Sequence, residues 1–340
     1  MNDWLRQFKD QFHACVLEFL WQQWTLLGVA GHLGPKVVNR IIDPEALLLF
    51  SLHICRYEPR LFDEILDWLI SNGHFINVQR LQQIQKKYNF LCGPQISAAA
   101  ELLATNAKYR LKWASLAKKY YLQTSEPLFW DKDGTALPYP EDKHLNQEFL
   151  AHGLKRGKIE HRHLSKSFSV ESPACLLLKL RALFGITARC EILCLLASVD
   201  EIHPAQAARL TGYYQKTIQT TLLEMSQSGL ILTRTVKNQK YYRLKPSILD
   251  NLVITHGNSI QWLNWSAILK VVESVWETLL AMSKQQFDSL LIISEFKKIV
   301  LSNREYLNDA GEKELMLGDT SSGEEYVKEL LKTIESLLLV

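Results

Sequence analysis

Apolar positions recur at steps of three and four along most of the chain, and alternation at steps of two is scarce, so the pattern predicts a mainly α fold. Residues 2–27 read as one amphipathic helix carrying Trp4, Phe8, Phe12, Phe19, Trp21 and Trp24, broken by Gly28, Gly31 and Gly34. Asp43-Pro44-Glu45 is a helix start: Asp caps, Pro suits the first helical position, and Glu suits the positive end of the helix dipole. That helix is expected to run to about Tyr57. A second follows Pro59 with Leu61, Phe62, Ile65, Leu66 and Leu69 inward, and ends at Asn72-Gly73. Phe75-Ile76 reads as a short extended piece. Asn77 then caps a third helix, with Val78, Leu81 and Ile84 inward and Arg80, Lys86 and Lys87 outward. Residues 94–122 hold two more helices.

The clusters SEP, WDKDG and LPYPEDK make residues 124–143 loop-like. Residues 153–169 form a polar, basic connector containing His161 and His163, which read as solvated rather than metal-bound because no third ligand lies nearby. Asp131-Lys132-Asp133-Gly134 is not a calcium loop, since its glycine is misplaced and the closing Glu is missing. Asp63, Glu64 and Asp67, with Arg60 beside them, read as a solvated helix face.

Pro173 to Phe184 is an apolar helix with a basic stripe, Lys179 and Arg181. Thr187, followed by Glu191, starts the next, with Ile192, Leu195 and Leu196 inward. After the extended Ile202-His203, Pro204 opens a helix with the small residues Ala205, Ala207 and Ala208, ended by Gly212. Tyr213-Tyr214 fills a turn, and residues 215–228 form a further helix. With Ile218 inward, Leu222 and Met225 share its face. Lys216, Gln219, Thr220 and Gln227 then point away, with Thr217 at the margin. No carboxylate occurs there until Glu224. Gly229 stops the helix. Residues 230–236 and 241–244 read as two strands around a polar turn, Lys237 to Lys240. The hairpin carries Arg234, Lys237, Lys240, Arg243 and Lys245.

After Pro246 the pattern is helical again. Residues 259–282 carry Trp262, Trp265, Ile268, Leu269, Val272, Val275, Trp276 and Leu279 on one broad stripe, continued by residues 287–300 and 324–339. Residues 312–325 read as a link. The three tryptophans could line an aromatic ligand box, but their spacing favours a core. The stripe could serve a subunit interface or pack on the N-terminal helices.

Composition adds little to this picture and removes several alternatives. The chain has 340 residues, 47 % hydrophobic and 22 % charged, with a net charge of only +3. That is a globular chain of two or three domains. Cationic residues concentrate in 153–166 and 187–246, and acidic ones after Ser302, a distribution that fits nucleic-acid contact at one face. The six cysteines form no CxxC pair, and Cys190 and Cys194 share a helical face as small core residues. The start lacks the order of a signal peptide, and no apolar stretch is uninterrupted enough for a membrane span, so a cytoplasmic location is expected. No HExxH, GxSxG, phosphate loop, dinucleotide fingerprint or kinase motif set occurs, so the chain is not read as an enzyme, and no cofactor or metal is expected.

The small-residue helix, the Gly-Tyr turn, the Gln/Thr/Lys helix, the Ser-Gly-Leu stop and the basic hairpin follow one another within residues 187–246. In that order they resemble bacterial winged-helix-turn-helix transcriptional regulators of the ArsR/MarR type. Asp43-Pro44-Glu45, Pro59 to Glu64 and Arg181 to Gly185 further resemble an otherwise uncharacterised bacterial family of such regulators. The resemblance implies that Gln215, Lys216, Thr217, Gln219 and Thr220 enter the major groove and that Lys237 and Lys240 touch phosphate; Arg234 on the hairpin joins them as a candidate DNA-binding residue. Arsenic-sensing members carry metal-binding cysteines at the third helix, and this chain has none there.

The expectation is therefore a mainly α protein. Residues 1–123 form a helical domain, either a degenerate winged helix or a plain bundle. Residues 124–172 are loop and basic connector, 173–246 a winged-helix DNA-binding domain, and 247–340 a helical domain available for dimerisation. The expected function is transcription regulation through double-stranded DNA, as a homodimer. The alternative is an antitoxin-like or defence-complex subunit whose winged helix grips a co-encoded protein partner.

Overall fold

A computed structural model of the chain describes residues 3–31, 39–245, 260–283, 289–304 and 324–339. The expected link, except Glu324 and Glu325, which begin a helix, and most of the acidic stretch after Ser302 lie outside them.

The protein is mainly helical. It begins with α1 (Asp3–Leu26), α2 (Pro44–Ile54), α3 (Pro59–Asn72), α4 (Val78–Tyr88), α5 (Gly93–Ala104) and α6 (Arg110–Ala117). The caps read from the sequence form as expected: the Asp43 side chain accepts from the Ala46 N–H, and Asn77 accepts from the Arg80 N–H. Phe75 lies in a 3-10 turn rather than an extended piece, and α5 follows α4 after a short turn, leaving no room for a hairpin. This part is built of successive helices, without a hairpin.

The connector holds a minimal parallel pair, β1 (Glu126–Pro127) and β2 (Leu154–Lys155), around α7 (Gln147–Leu150). It is tied to α3 by charge. Arg156 pairs with Asp63 at 2.8 Å and Arg162 with Glu64 at 2.8 Å. Asp67 accepts from the backbone N–H groups of His163 and Leu164. Glu64 and Asp67 are buried, so these carboxylates are not a solvated face but the anchor for a cationic strap. His161 is half-buried beside Asp67 and His163 is exposed. Among the described residues no group of His, Cys, Asp or Glu is placed to hold a metal ion.

Gly28 makes one close approach possible. Its φ is +104°, and a Cβ there would lie 2.2 Å from the Lys166 carbonyl oxygen, whose own N–H donates to Gly28 O. Only glycine fits both demands.

A second group follows: α8 (Leu176–Phe184), α9 (Ala188–Ser198), α10 (Pro204–Thr211), α11 (Gln215–Gln227) and an antiparallel hairpin, β3 (Ile231–Val236) and β4 (Gln239–Leu244). Its core gathers Cys190, Ile192, Cys194, Leu195, Ile202, Ala207, Ile218, Leu222, Ile231 and Tyr242. Ile202 bridges to Tyr242 through two backbone hydrogen bonds, of 2.9 and 3.0 Å, which ties the hairpin to the segment before α10.

The chain closes with α12 (Trp265–Ser283), α13 (Ser289–Ser302) and α14 (Glu324–Leu339). These share one core with α1 to α6. Trp265 and Trp276 are core residues, and the Trp265 indole donates to Ile41 O at 2.8 Å. The stripe available on sequence grounds for dimerisation is thus buried within the chain.

The two groups meet through a buried ion network. Arg80 donates to both Asp43 oxygens and to Glu45. Arg181 donates to both Glu45 oxygens, at 2.7 and 2.9 Å, to Phe75 O at 2.7 Å, and to Glu191. All five side chains are buried. Arg80 and Arg181 therefore do not face solvent as their charge suggests, and Glu45 does more than complement a helix dipole. Burial pushes the Glu45 carboxyl up. The Arg181 and Arg80 guanidiniums, with hydrogen bonds from Arg181 and the Asn77 N–H, outweigh it and bring the group down to about 2. Arg80 also donates through Nε to Thr211 O, at the C-terminus of α10. The bundle is thereby bolted to the turn that precedes α11.

Candidate nucleic-acid interface

The sequence of α11 places one apolar row inward. Ile218 and Leu222 are buried and Met225 half-buried, against α9, α10 and β3. The opposite rows are exposed: Gln215, Lys216, Thr217, Gln219 and Thr220 all face solvent, Thr217 included. Its first turn holds no acidic residue. Glu224, the first carboxylate, is drawn aside by Arg189 of α9 at 2.6 Å.

The turn before α11 depends on Gly212, whose φ is +76° and whose position faces Ile84 of α4 at van der Waals distance. Tyr213 packs inward, its hydroxyl accepting from Asn77 Nδ2 at 2.8 Å; burial, then Glu191, holds its ionisation well above the usual phenol range. Tyr214 does not share that role. It is 65 % exposed at the start of α11. It is a candidate contact residue that the sequence reading assigned to turn filling.

The hairpin is tighter than its sequence suggested. Val236 pairs with Gln239, so only Lys237 and Asn238 form the turn, and Lys240 already belongs to β4. Lys237 adopts φ +54° at the tip. Ile231, Tyr242 and Leu244 face the core, whereas Lys237, Lys240, Arg243 and Lys245 are exposed. Arg243, pointing to the solvent face, adds a cation outside the original candidates. Arg234 differs from the rest. Its guanidinium is paired with both oxygens of Glu201, and its charge is locally answered. Both partners are accessible, so the pair is of the weak surface kind and can exchange for another anion at little cost.

Two grooves border this surface. One, of about 600 Å³, runs between α4, α10 and the start of α11, and is lined by Lys86, Lys87, Arg209 and Gln215 among others. The second, of about 250 Å³, lies at the far end of α11 and is lined by Phe184, Leu193, Met225, Leu230, Ile231 and Leu244. Leu183, Phe184, Leu223 and Leu230 are exposed in the same unit.

No protein-family model, no curated protein and no solved structure matches the chain. Among the described residues no helix is long and apolar enough to cross a membrane.

Proposed function

We propose that the chain is a cytoplasmic transcriptional regulator that binds double-stranded DNA through a winged helix-turn-helix formed by α9, α10, α11 and the hairpin. One observation carries this reading: the exposed rows of α11 and the cationic hairpin lie on adjoining elements, and no unpaired carboxylate interrupts the first turns of the helix. Amide, hydroxyl and ammonium groups on such a helix match base edges in the major groove. Lys237, Lys240 and Arg243 match phosphate along the flanking backbone. The contact residues are Gln215, Lys216, Thr217, Gln219 and Thr220 with the hairpin cations; Arg234 contributes only by exchanging Glu201 for phosphate. The reading assigns the chain no catalytic step.

Binding of duplexes from the chain's own upstream region tests it. Lys237→Glu with Lys240→Glu should weaken binding to every sequence, whereas Gln219→Ala should alter preference among sequences. Unchanged duplex affinity in the double reversal would refute it.

A homodimer reading two half-sites is part of this proposal. Because the α12 stripe is internal, a second copy would have to use another surface, and the apolar groove beside Phe184 and Leu230 is available. The same groove favours a second reading, in which a co-encoded protein docks there, since exposed apolar clusters of this kind mark protein contacts. Size measurement of the purified chain, alone and with the neighbouring gene product, separates the two.

A further inference from the structure

We infer that the C-terminal end of α4 is a second DNA-contacting element, so that the helix bundle and α11 grip the same duplex. The inference rests on the DNA-binding reading above and names a surface that the resemblance does not include. The groove between α4 and the start of α11 carries Lys86, Lys87 and Arg209, and no carboxylate lines it. Lys86 and Lys87 are exposed. The groove opens directly onto Tyr214 and Gln215, where α11 begins, and the first amides of α11 have no side-chain cap. Its charge and its continuity with the α11 face fit the phosphodiester backbone of one DNA strand at the edge of the groove that α11 enters.

The placement of these lysines is fixed by the buried network. Arg80 holds Thr211 O at 2.7 Å, Asn77 holds the Tyr213 hydroxyl, and Ile84 packs on Gly212. Lys87 follows Arg80 by two helical turns and so continues the same seam. A contact made from a seam held this way needs no ordering of the bundle against the reading head, which lowers the entropic cost of binding.

The test uses the full chain and fluorescence anisotropy over a series of KCl concentrations, on two probes: a duplex from its own upstream region and an unrelated duplex. Lys86→Gln with Lys87→Gln should lower affinity for both probes by the same factor, about tenfold or more at 0.1 M salt. It should also flatten the salt slope by about two. Lys86→Gln alone should flatten it by about one. Both positions are on the surface, and circular dichroism checks that folding is unchanged. If wild type binds and Lys237→Glu with Lys240→Glu weakens it, but the α4 variant keeps full affinity and slope, the inference fails while the DNA reading stands. A loss confined to one probe would indicate base contact and also overturn it. If wild type binds neither duplex, the DNA reading itself fails.

Discussion

Replacing Arg181 by Met removes the central cation of the joint between the helix bundle and the α8–α11 unit. Met suits the helix and keeps much of the volume, so the loss is electrostatic. Arg181 donates to the buried carboxylates of Glu45 and Glu191 and to the Phe75 carbonyl oxygen. Without it Glu45 keeps Arg80, whereas Glu191 is left buried with no hydrogen-bond partner, one of its oxygens being unpartnered already. Breaking one side of a buried pair typically costs about 3–5 kcal/mol. Urea unfolding followed by tryptophan fluorescence should therefore show the midpoint of the transition that separates the two units falling sharply, and trypsin should cut the joint earlier. Arg181→Met combined with Glu191→Leu removes the orphaned charge and should recover at least about 2 kcal/mol, because buried ion pairs can be replaced by apolar groups at little cost. A loss below about 1 kcal/mol in the single variant, or no recovery in the double, would refute the view that this network holds the joint.

Three further outcomes follow from the same structure. Gly28→Ala should destabilise by more than about 2 kcal/mol, because a positive φ and a backbone oxygen both oppose a Cβ; thermal denaturation measures it. His13 is buried against Trp276, and burial first, then Lys132 and Lys9, lowers it from 6.5 to about 4. A lowered histidine is charged in the unfolded chain before it is charged in the folded one. Its contribution is therefore intact above about pH 6.5 and is lost, by roughly 2–4 kcal/mol, as pH falls towards 4. His13→Phe should flatten stability over that window, and a curve identical to wild type would contradict the assignment. Arg234→Gln should weaken duplex binding less than either Lys237→Gln or Lys240→Gln, since giving up Glu201 offsets part of what Arg234 gains from phosphate; equal losses in anisotropy would contradict this.

Much of the candidate interface is legible in residue order. Ile218, Leu222 and Met225 fix the inward direction of α11, and that alone determines which polar groups are outside. Gly212 and Gly229 mark its ends by adopting φ values that glycine tolerates. Tyr214 could not be told from Tyr213 by sequence, because one hydroxyl finds Asn77 from a distant helix and the other side chain is largely exposed. The charges of Arg80 and Arg181 point to solvent, whereas their spacing points inward. Arg80 precedes Ile84 by four residues and Arg181 follows Leu177 by four, so each lies on an apolar row. Glu191 is ten residues from Arg181, but Asp43 lies 37 residues from Arg80 and Glu45 136 from Arg181, and periodicity carries no trace of such pairs. The α12 stripe illustrates a different limit. An apolar face looks the same whether it meets a second copy or the chain's own α1, α2 and α4, and only packing distinguishes them.

The central claim is that the exposed rows of α11 meet base edges. Photocrosslinking measures this directly: p-benzoylphenylalanine is placed at position 219, and the full chain is irradiated with a labelled duplex from its upstream region. The structure predicts a salt-sensitive crosslink to nucleotides within one major-groove segment, abolished by Lys237→Glu with Lys240→Glu. Crosslinking to protein alone, with the duplex untouched at low salt, would contradict it.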